Sequence, residues 1–275
     1  MAKKGVHRAP KREIRVDVDT THSSHRGLLG HYERTLRRFK TLVYLITLVP
    51  LYGLAAGLLG VALSPGVYLV FQVYEATLAW PWIARFPTLG WAVGSAFLLY
   101  GFSMILLLPV MNWVLVGRLK AMRGPYFSVD FLPWYIHNGL TYLARYTFLE
   151  LMTPTPFNFW FYQLMGMKVG RGTQINTTNI SDPCLIELGE KVTVGGSVTL
   201  VAHYGVGGFL VIAPVRIGDR ATLGLRSIVM GGVEIGPDAK VLPNSVVLPK
   251  TIIGAGETWG GVPAQKIPQK QRKVA

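Results

Sequence analysis

Cysteine is almost missing from this chain: Cys184 is the only one in 275 residues. An internal disulfide and a cysteine metal cluster are therefore excluded, and a reducing compartment is permitted. Acidic residues are also few, 14 against 28 lysines and arginines. Charged residues of both signs make up only 15% of the chain, whereas 50% is hydrophobic. With a net charge of +14, that is a membrane composition rather than a nucleic-acid-binding one. RNA binding is disfavoured further because no aromatic platform is interleaved with the basic residues. A Walker sequence or other nucleotide cradle is absent.

The positive charge is crowded at the start. Residues 1–40 hold Lys3, Lys4, Arg8, Lys11, Arg12, Arg15 and five more basic residues, without apolar period. They read as a disordered arm ending in a short cationic helix, Tyr32 to Lys40. Such an arm is a topology signal, or is drawn to anionic lipid headgroups at about 1 kcal/mol per basic residue near the surface. It is too long, and lacks a small-residue cleavage site, for a cleaved signal peptide.

From Thr41 to Gly117 the only charges are Glu75 and Arg85. Thr41–Leu63 is long enough to cross a bilayer core, which needs about twenty apolar residues. Leu89–Val116 is a second span, bent or ended near Pro109. Between them Val67–Trp80, flanked by Pro65-Gly66 and Trp80-Pro81-Trp82, reads as an interfacial or re-entrant piece, with a third full crossing as the alternative. Basic residues precede the first span, and Arg118, Lys120 and Arg123 follow the second. Both ends of this 41–117 hairpin are thus expected on the cytoplasmic face of a plasma or inner membrane, in a multi-pass protein. Residues 118–164 are aromatic with scattered polar groups, among them Tyr126, Phe131, Trp134, His137, Tyr142 and Arg145. Amphipathic aromatic segments of this kind lie in an interface and are expected to cap the C-terminal domain.

That domain, over 165–267, is a repeat. Ile217, Leu223, Val229, Ile235, Val241, Val247 and Ile253 recur at a constant step of about six, and Trp259 takes the next step. Glycine comes next after several of them, and a small or β-branched residue stands four places on: Ala221, Ser227, Val233, Ala239, Ser245, Thr251. No helix has this period. A short strand and a tight turn would fit it, with the aliphatic residue inside and glycine at the corner. Three such units make a triangular coil of about eighteen residues, and coils stack about 4.8 Å apart. A basic tail, 268–275, closes the chain.

The phrase Ile217-Gly-Asp-Arg-Ala-Thr-Leu223-Gly, continued by Ile235-Gly-Pro-Asp-Ala and closed by Trp259-Gly-Gly-Val-Pro-Ala-Gln-Lys-Ile267, resembles the hexapeptide-repeat acyltransferases. The resemblance implies an all-β left-handed parallel β-helix behind an α-helical transmembrane and interfacial N-terminal part. It also implies acetyl-CoA or another acyl-CoA as donor, laid along the coils near the C-terminus, and a homotrimer with sites at the seams. Arg226, Lys240 and Lys266 would meet the donor's phosphates, and Trp259 would cover it. More weakly, Trp113–Arg118 with Pro125-Tyr126 and Ser128 is similar to the membrane-to-coil junction of peptide synthetases that make poly-lysine.

The repeat holds one histidine, His203, and the rhythm fails directly after it: Leu200 to Ile217 is one residue short of three clean units. Gly205, Gly207 and Gly208 come next, so a loop leaves the prism there. In similar acyltransferases such a histidine is the general base, and neutral imidazole suits that task near pH 7. A loop N–H could serve the oxyanion. Asp182 and Glu187 lie about one coil earlier, so either could orient His203, although Asp182 before Pro183 also suits a plain turn. Three functions compete. One is acyl transfer to a small or lipid-linked acceptor at the membrane, with lipids as neighbours. Another is a metal enzyme on the same helix, which would need three histidines from two chains and is disfavoured, so no metal is expected. The third is a membrane-anchored scaffold without catalysis.

Overall fold

The computed structural model describes residues 23, 25–126 and 128–268. Most of the expected basic arm and nearly all of the tail lie outside the described residues. The helix expected over Tyr32–Lys40 runs instead over Gly27–Arg38 (α1). Its earlier start agrees with Gly30, where a Cβ would fall 2.2 Å from the His25 carbonyl oxygen, so the chain can fold closely onto itself. It is not simply cationic, because buried Glu33 pairs with Arg37 one turn on, at 2.5 Å.

Two long helices come after it, Lys40–Ala76 (α2) and Trp82–Leu115 (α3). Among the described residues these are the two helices long and apolar enough to cross a membrane. The separate piece expected over Val67–Trp80 does not exist: α2 runs through Pro65 and carries Val67–Ala76 as its last turns. Gly66 explains why the helix is held close to its neighbour there, since a Cβ would lie 2.7 Å from the Ala96 carbonyl of α3. The turn comes at Thr77, whose hydroxyl donates back to the Val73 carbonyl at 2.8 Å, and Pro81 precedes the first turn of α3. Val49, Val67, Trp91 and Val114 all stand exposed along this hairpin, an apolar surface too extensive for water to favour.

The second half of α3 carries three further elements: Leu132–Ala144 (α4), a π-helical turn Arg145–Leu149, and Pro156–Leu164 (α5). Gly101 of α3 leaves room for the Phe148 ring, and Phe102 meets Phe157 edge-on at 4.8 Å. Beneath these elements lies the prism. Its first face stacks five parallel strands, from Lys168–Val169 to Ile252–Ile253, its second five with a sixth added antiparallel, and its third four, from Ile180–Ser181 to Val246–Val247. The coils are in strict register: Ile217 sits between Leu188 and Ile235, and Leu223 between Val194 and Val241. Ile217, Leu223, Val229, Ile235, Val241, Val247 and Ile253 point inward, none more than 3% exposed. Each such burial is worth about 1.5–3 kcal/mol. The fourth-place residues Ala221, Ser227, Val233, Ala239 and Ser245 fill the remaining interior at 0% exposure.

The corners differ from expectation in one respect. The glycine after each aliphatic does not supply the left-handed backbone. That conformation falls two places later, at Arg220, Arg226, Asp238, Asn244 and Lys250, with φ between 56° and 62°. The glycine is needed because the next coil is so close. A Cβ on Gly218 would fall 2.6 Å from the Pro237 nitrogen, and on Gly236 2.6 Å from that of Ala255.

Candidate active site

The break in the repeat is a hairpin, His203–Val206 paired antiparallel with Phe209–Ile212. Gly207 and Gly208, both at positive φ, form its tip, as a tight hairpin turn requires. The loop is not free, because Met122–Pro125, arriving from α3, adds a third strand along Phe209–Ile212. His203 is the first residue of the excursion, at the corner between the third face and the first.

One coil above it stands Asp182. The step from Ile175 to Leu188 carries one residue more than two clean units, and the surplus goes into a short 3-10 turn, Pro183–Leu185, with Asp182 at φ 59° before it. Asp182 thus makes the turn expected before Pro183. Ser181 pairs with Val201, so stacking drops Asp182 onto Ala202 and His203. Its Oδ2 accepts from the Ala202 N–H at 3.0 Å and lies 2.6 Å from His203 Nδ1. Its Oδ1 accepts from Trp134 Nε1 at 2.6 Å and Asn138 Nδ2 at 2.7 Å. Burial of this fully enclosed side chain pushes its carboxyl up, but His203, Asn138 and the nearby His137 outweigh that and hold it below the usual carboxylate range. The carboxylate is thus ionised at neutral pH and bonds Ala202, His203, Trp134 and Asn138.

That arrangement fixes the imidazole. An ionised acceptor on Nδ1 makes Nδ1 the protonated nitrogen and leaves the Nε2 lone pair to act. The ring is 24% exposed, and Trp134 stands edge-on to it at 5.1 Å. Trp134 and Asn138 come from α4, a contribution that a reading of the coils alone misses. The signal was an indole and an amide one turn apart on a mainly apolar helix, two N–H donors that need a buried acceptor. Beside them His137 Nδ1 meets Asn112 Oδ1 of α3 at 2.7 Å, and its Nε2 lies 3.6 Å from Cys184 Sγ. Burial holds His137 down at about 4 against the pull of the Asp182 charge. Burial likewise pushes the Cys184 thiol up to about 11, which removes it as a nucleophile at neutral pH.

Glu187 does not join His203. It begins the next coil on the first face with its side chain outward, bonding Lys168 at 2.7 Å and lying 3.7 Å from Arg216. The four expected donor-binding residues fall along the second face and its far corner. Arg226 and Lys240 are exposed. Trp259 and Lys266 share one partner: Glu257 accepts from the indole at 2.8 Å and from the ammonium at 2.5 Å. Lys266 first, then Trp259 and the Gly254 N–H, hold the Glu257 carboxyl at about 2. This cluster closes the last coil, where Trp259-Gly260 pairs antiparallel with Gln265-Lys266. Within one chain the second face lies across the prism from the His203 corner. A groove of about 690 Å³ between α5 and the second face, lined by Trp160, Gln174 and Asn176 among others, contains no titratable side chain.

Residues 214–249 match the family model described as the hexapeptide repeat of succinyl-transferase. The chain carries a hexapeptide-repeat domain. Over a stretch longer than that domain, 177 residues are 24% identical to a delta-poly-L-ornithine synthetase of Acinetobacter baumannii, covering 63% of this chain and 13% of that protein. Over 102 residues it is 34% identical to a mitochondrial gamma carbonic anhydrase 2 of Arabidopsis thaliana, covering 36% of this chain and 34% of the relative. The chain thus spans well under half the length of either relative. Among solved structures, a hexapeptide-repeat-containing acetyltransferase of Vibrio cholerae with acetyl coenzyme A bound is 25% identical, with a TM-score of 0.34 over 38% of this chain and 60% of that one.

Proposed function

We propose that the protein is a membrane-bound acyltransferase. It moves an acyl group, in the simplest case acetyl from acetyl-CoA, onto a hydroxyl or amine acceptor held at the cytoplasmic leaflet. The observation that carries this reading is the 2.6 Å contact between His203 Nδ1 and the buried carboxylate of Asp182. The hexapeptide repeat supports it independently, and the coils are taken to wind left-handed on the strength of that repeat.

In the reaction, Nε2 of His203 removes the acceptor's proton as its oxygen or nitrogen attacks the thioester carbonyl. The tetrahedral adduct collapses with cleavage of the C–S bond. The departing sulfur takes the proton from Nε2, and the neutral imidazole is restored. Asp182 stabilises the imidazolium formed in between and never needs to give up its charge. No protein nucleophile is required, which agrees with the unreactive state of Cys184. Arg226 and Lys240 are left to meet the donor's phosphates. Because Lys240 lies across the prism from His203, and Arg226 a whole face-width away, donor and base would come from neighbouring protomers of a homotrimer.

The membrane location rests on length. α2 and α3 have 37 and 34 residues, about 50 Å each, against about 30 Å of hydrocarbon. The surplus falls at the end where α4, the π-turn and α5 pack, so the site would stand at the bilayer surface. Basic residues at that end favour the cytoplasmic side. A second reading, transfer of an aminoacyl group, is favoured by the synthetase match, which is longer than the repeat domain.

Detergent-purified protein tests both. Acetyl-CoA should raise the apparent melting temperature, and His203→Ala should lower thiol release about 10²–10⁴-fold while keeping that rise. Unchanged turnover in the variant removes His203 from the mechanism. Stabilisation by an aminoacyl thioester but not by acetyl-CoA selects the second reading.

A further inference from the structure

The strand that begins with His203 has a hole in it two residues on. A Cβ on Gly205 would lie 1.7 Å from the Tyr126 hydroxyl oxygen and 3.0 Å from Tyr126 Cζ. The phenol hydroxyl therefore occupies the place where a side chain at position 205 would begin.

The pairing tells which side this is. Residues directly opposite one another in an antiparallel sheet share a face. His203 faces Ile212, which faces Met122, and Gly205 faces Leu210, which faces Gly124. Tyr126 is two residues beyond Gly124, and its N–H donates to the Gly208 carbonyl at 3.3 Å, so it keeps the same parity. His203, the Gly205 gap and Tyr126 are all on one side of the sheet. Phe131 covers Gly124 on that side, 3.0 Å from where a Cβ would be, and Trp134 covers the imidazole. Two residues along a strand span about 6.6 Å, enough for one small polar group between the hydroxyl and the imidazole. Tyr126 is 38% exposed, and among the described residues its hydroxyl has no hydrogen-bond partner.

We propose that Tyr126 is an acceptor-binding residue, its hydroxyl bonding a second polar group of the acceptor while His203 Nε2 takes the proton from the first. The acceptor is then a molecule with two polar groups side by side: a vicinal diol as in a sugar, an amino alcohol, or an amino or hydroxy acid. A simple fatty alcohol or alkylamine does not satisfy both. This rests on His203 being the general base. The linker from the membrane helices thus reaches the site twice, once through α4 onto Asp182 and once through Tyr126 onto the acceptor.

Two measurements test it. The first needs no acceptor: 3-fluorotyrosine placed at 126 should show, at one fixed pH, a fluorine shift that moves on His203→Ala and on Gly205→Ala. A shift unchanged by both substitutions overturns the placement. The second follows thiol release from acetyl-CoA when native membranes of the expressing cells supply the acceptor. Tyr126→Phe, which keeps the ring, should raise the half-saturating amount of membrane about tenfold, as loss of one hydrogen bond to substrate does. The maximal rate should stay within about twofold, and dependence on acetyl-CoA should not change. Gly205→Ala should do the same with the phenol intact, because its methyl displaces the hydroxyl. Wild-type saturation in Tyr126→Phe overturns the proposal and leaves the base in place if His203→Ala is inactive. Full turnover in His203→Ala overturns the base, whatever Tyr126→Phe does.

Discussion

At the scale of single residues, much rests on how Asp182 is satisfied. Its two oxygens receive four donors, from Ala202, His203, Trp134 and Asn138. Asp182→Asn preserves the volume but removes the charge that selects the Nδ1–H tautomer. Turnover should fall about 10²-fold or more with little change in acetyl-CoA binding, measured as thiol release against the thermal shift. His137 gives a pH prediction of its own. Its folded pKa is about 4 against an ordinary 6.5, so the unfolded chain takes up a proton first as pH falls. Folded stability should therefore drop between pH 6.5 and 4, by about 2 kcal/mol at pH 5, and level off below 4. His137→Gln should flatten that slope in melting curves at pH 7 and pH 5. A slope that persists unchanged in His137→Gln would assign it to another group. Asp182 could be nominated from the sequence because it lay one coil from His203. Glu187 could be nominated on the same count, and only the outward strand position that gives it to Lys168 separates the two.

At the scale of elements, the coils were legible and the elements above them were not. A six-residue period constrains every inward aliphatic, so the seven buried positions from Ile217 to Ile253 could be named in advance. α4 carries no such period. Its function depends on contacts to Asp182 about forty-five residues away in sequence, as the spacing of Trp134 and Asn138 from it shows. The boundary between α2 and a separate membrane piece was misplaced because Pro65 and Gly66 look like a break. Within a packed hairpin they only remove one N–H and one side chain. The corners give a direct test of what each glycine does. Gly218→Ala puts a methyl against the backbone of the next coil and should cost about 1–3 kcal/mol. Asn244→Gly sits at φ 56°, already suits glycine, and should leave the melting temperature within about 2 °C. Equal effects at the two positions would mean that corner conformation, rather than close stacking, selects glycine.

At the scale of the whole molecule, the decisive question is where a site is completed. His203 occupies the corner between the third face and the first, whereas Arg226 and Lys240 belong to the second face and its far corner. A single prism keeps them apart, since its packed interior lies between His203 and Lys240 and the width of the third face between His203 and Arg226. A closed ring of identical prisms can, because each then sets its His203 corner against a neighbour's second face. Subunit mixing examines this directly. His203→Ala protomers lack the base, and protomers carrying Arg226→Ala with Lys240→Ala lack the donor contacts. Each pure variant should be nearly inactive. If sites lie between protomers, co-expression in equal amounts pairs an intact base with an intact neighbouring face at about one seam in four. Thiol release should then recover to about a quarter of wild type, with wild-type affinity for acetyl-CoA at the restored sites. A site contained within one protomer gives no recovery at any ratio, because every chain in the mixture carries one of the two defects.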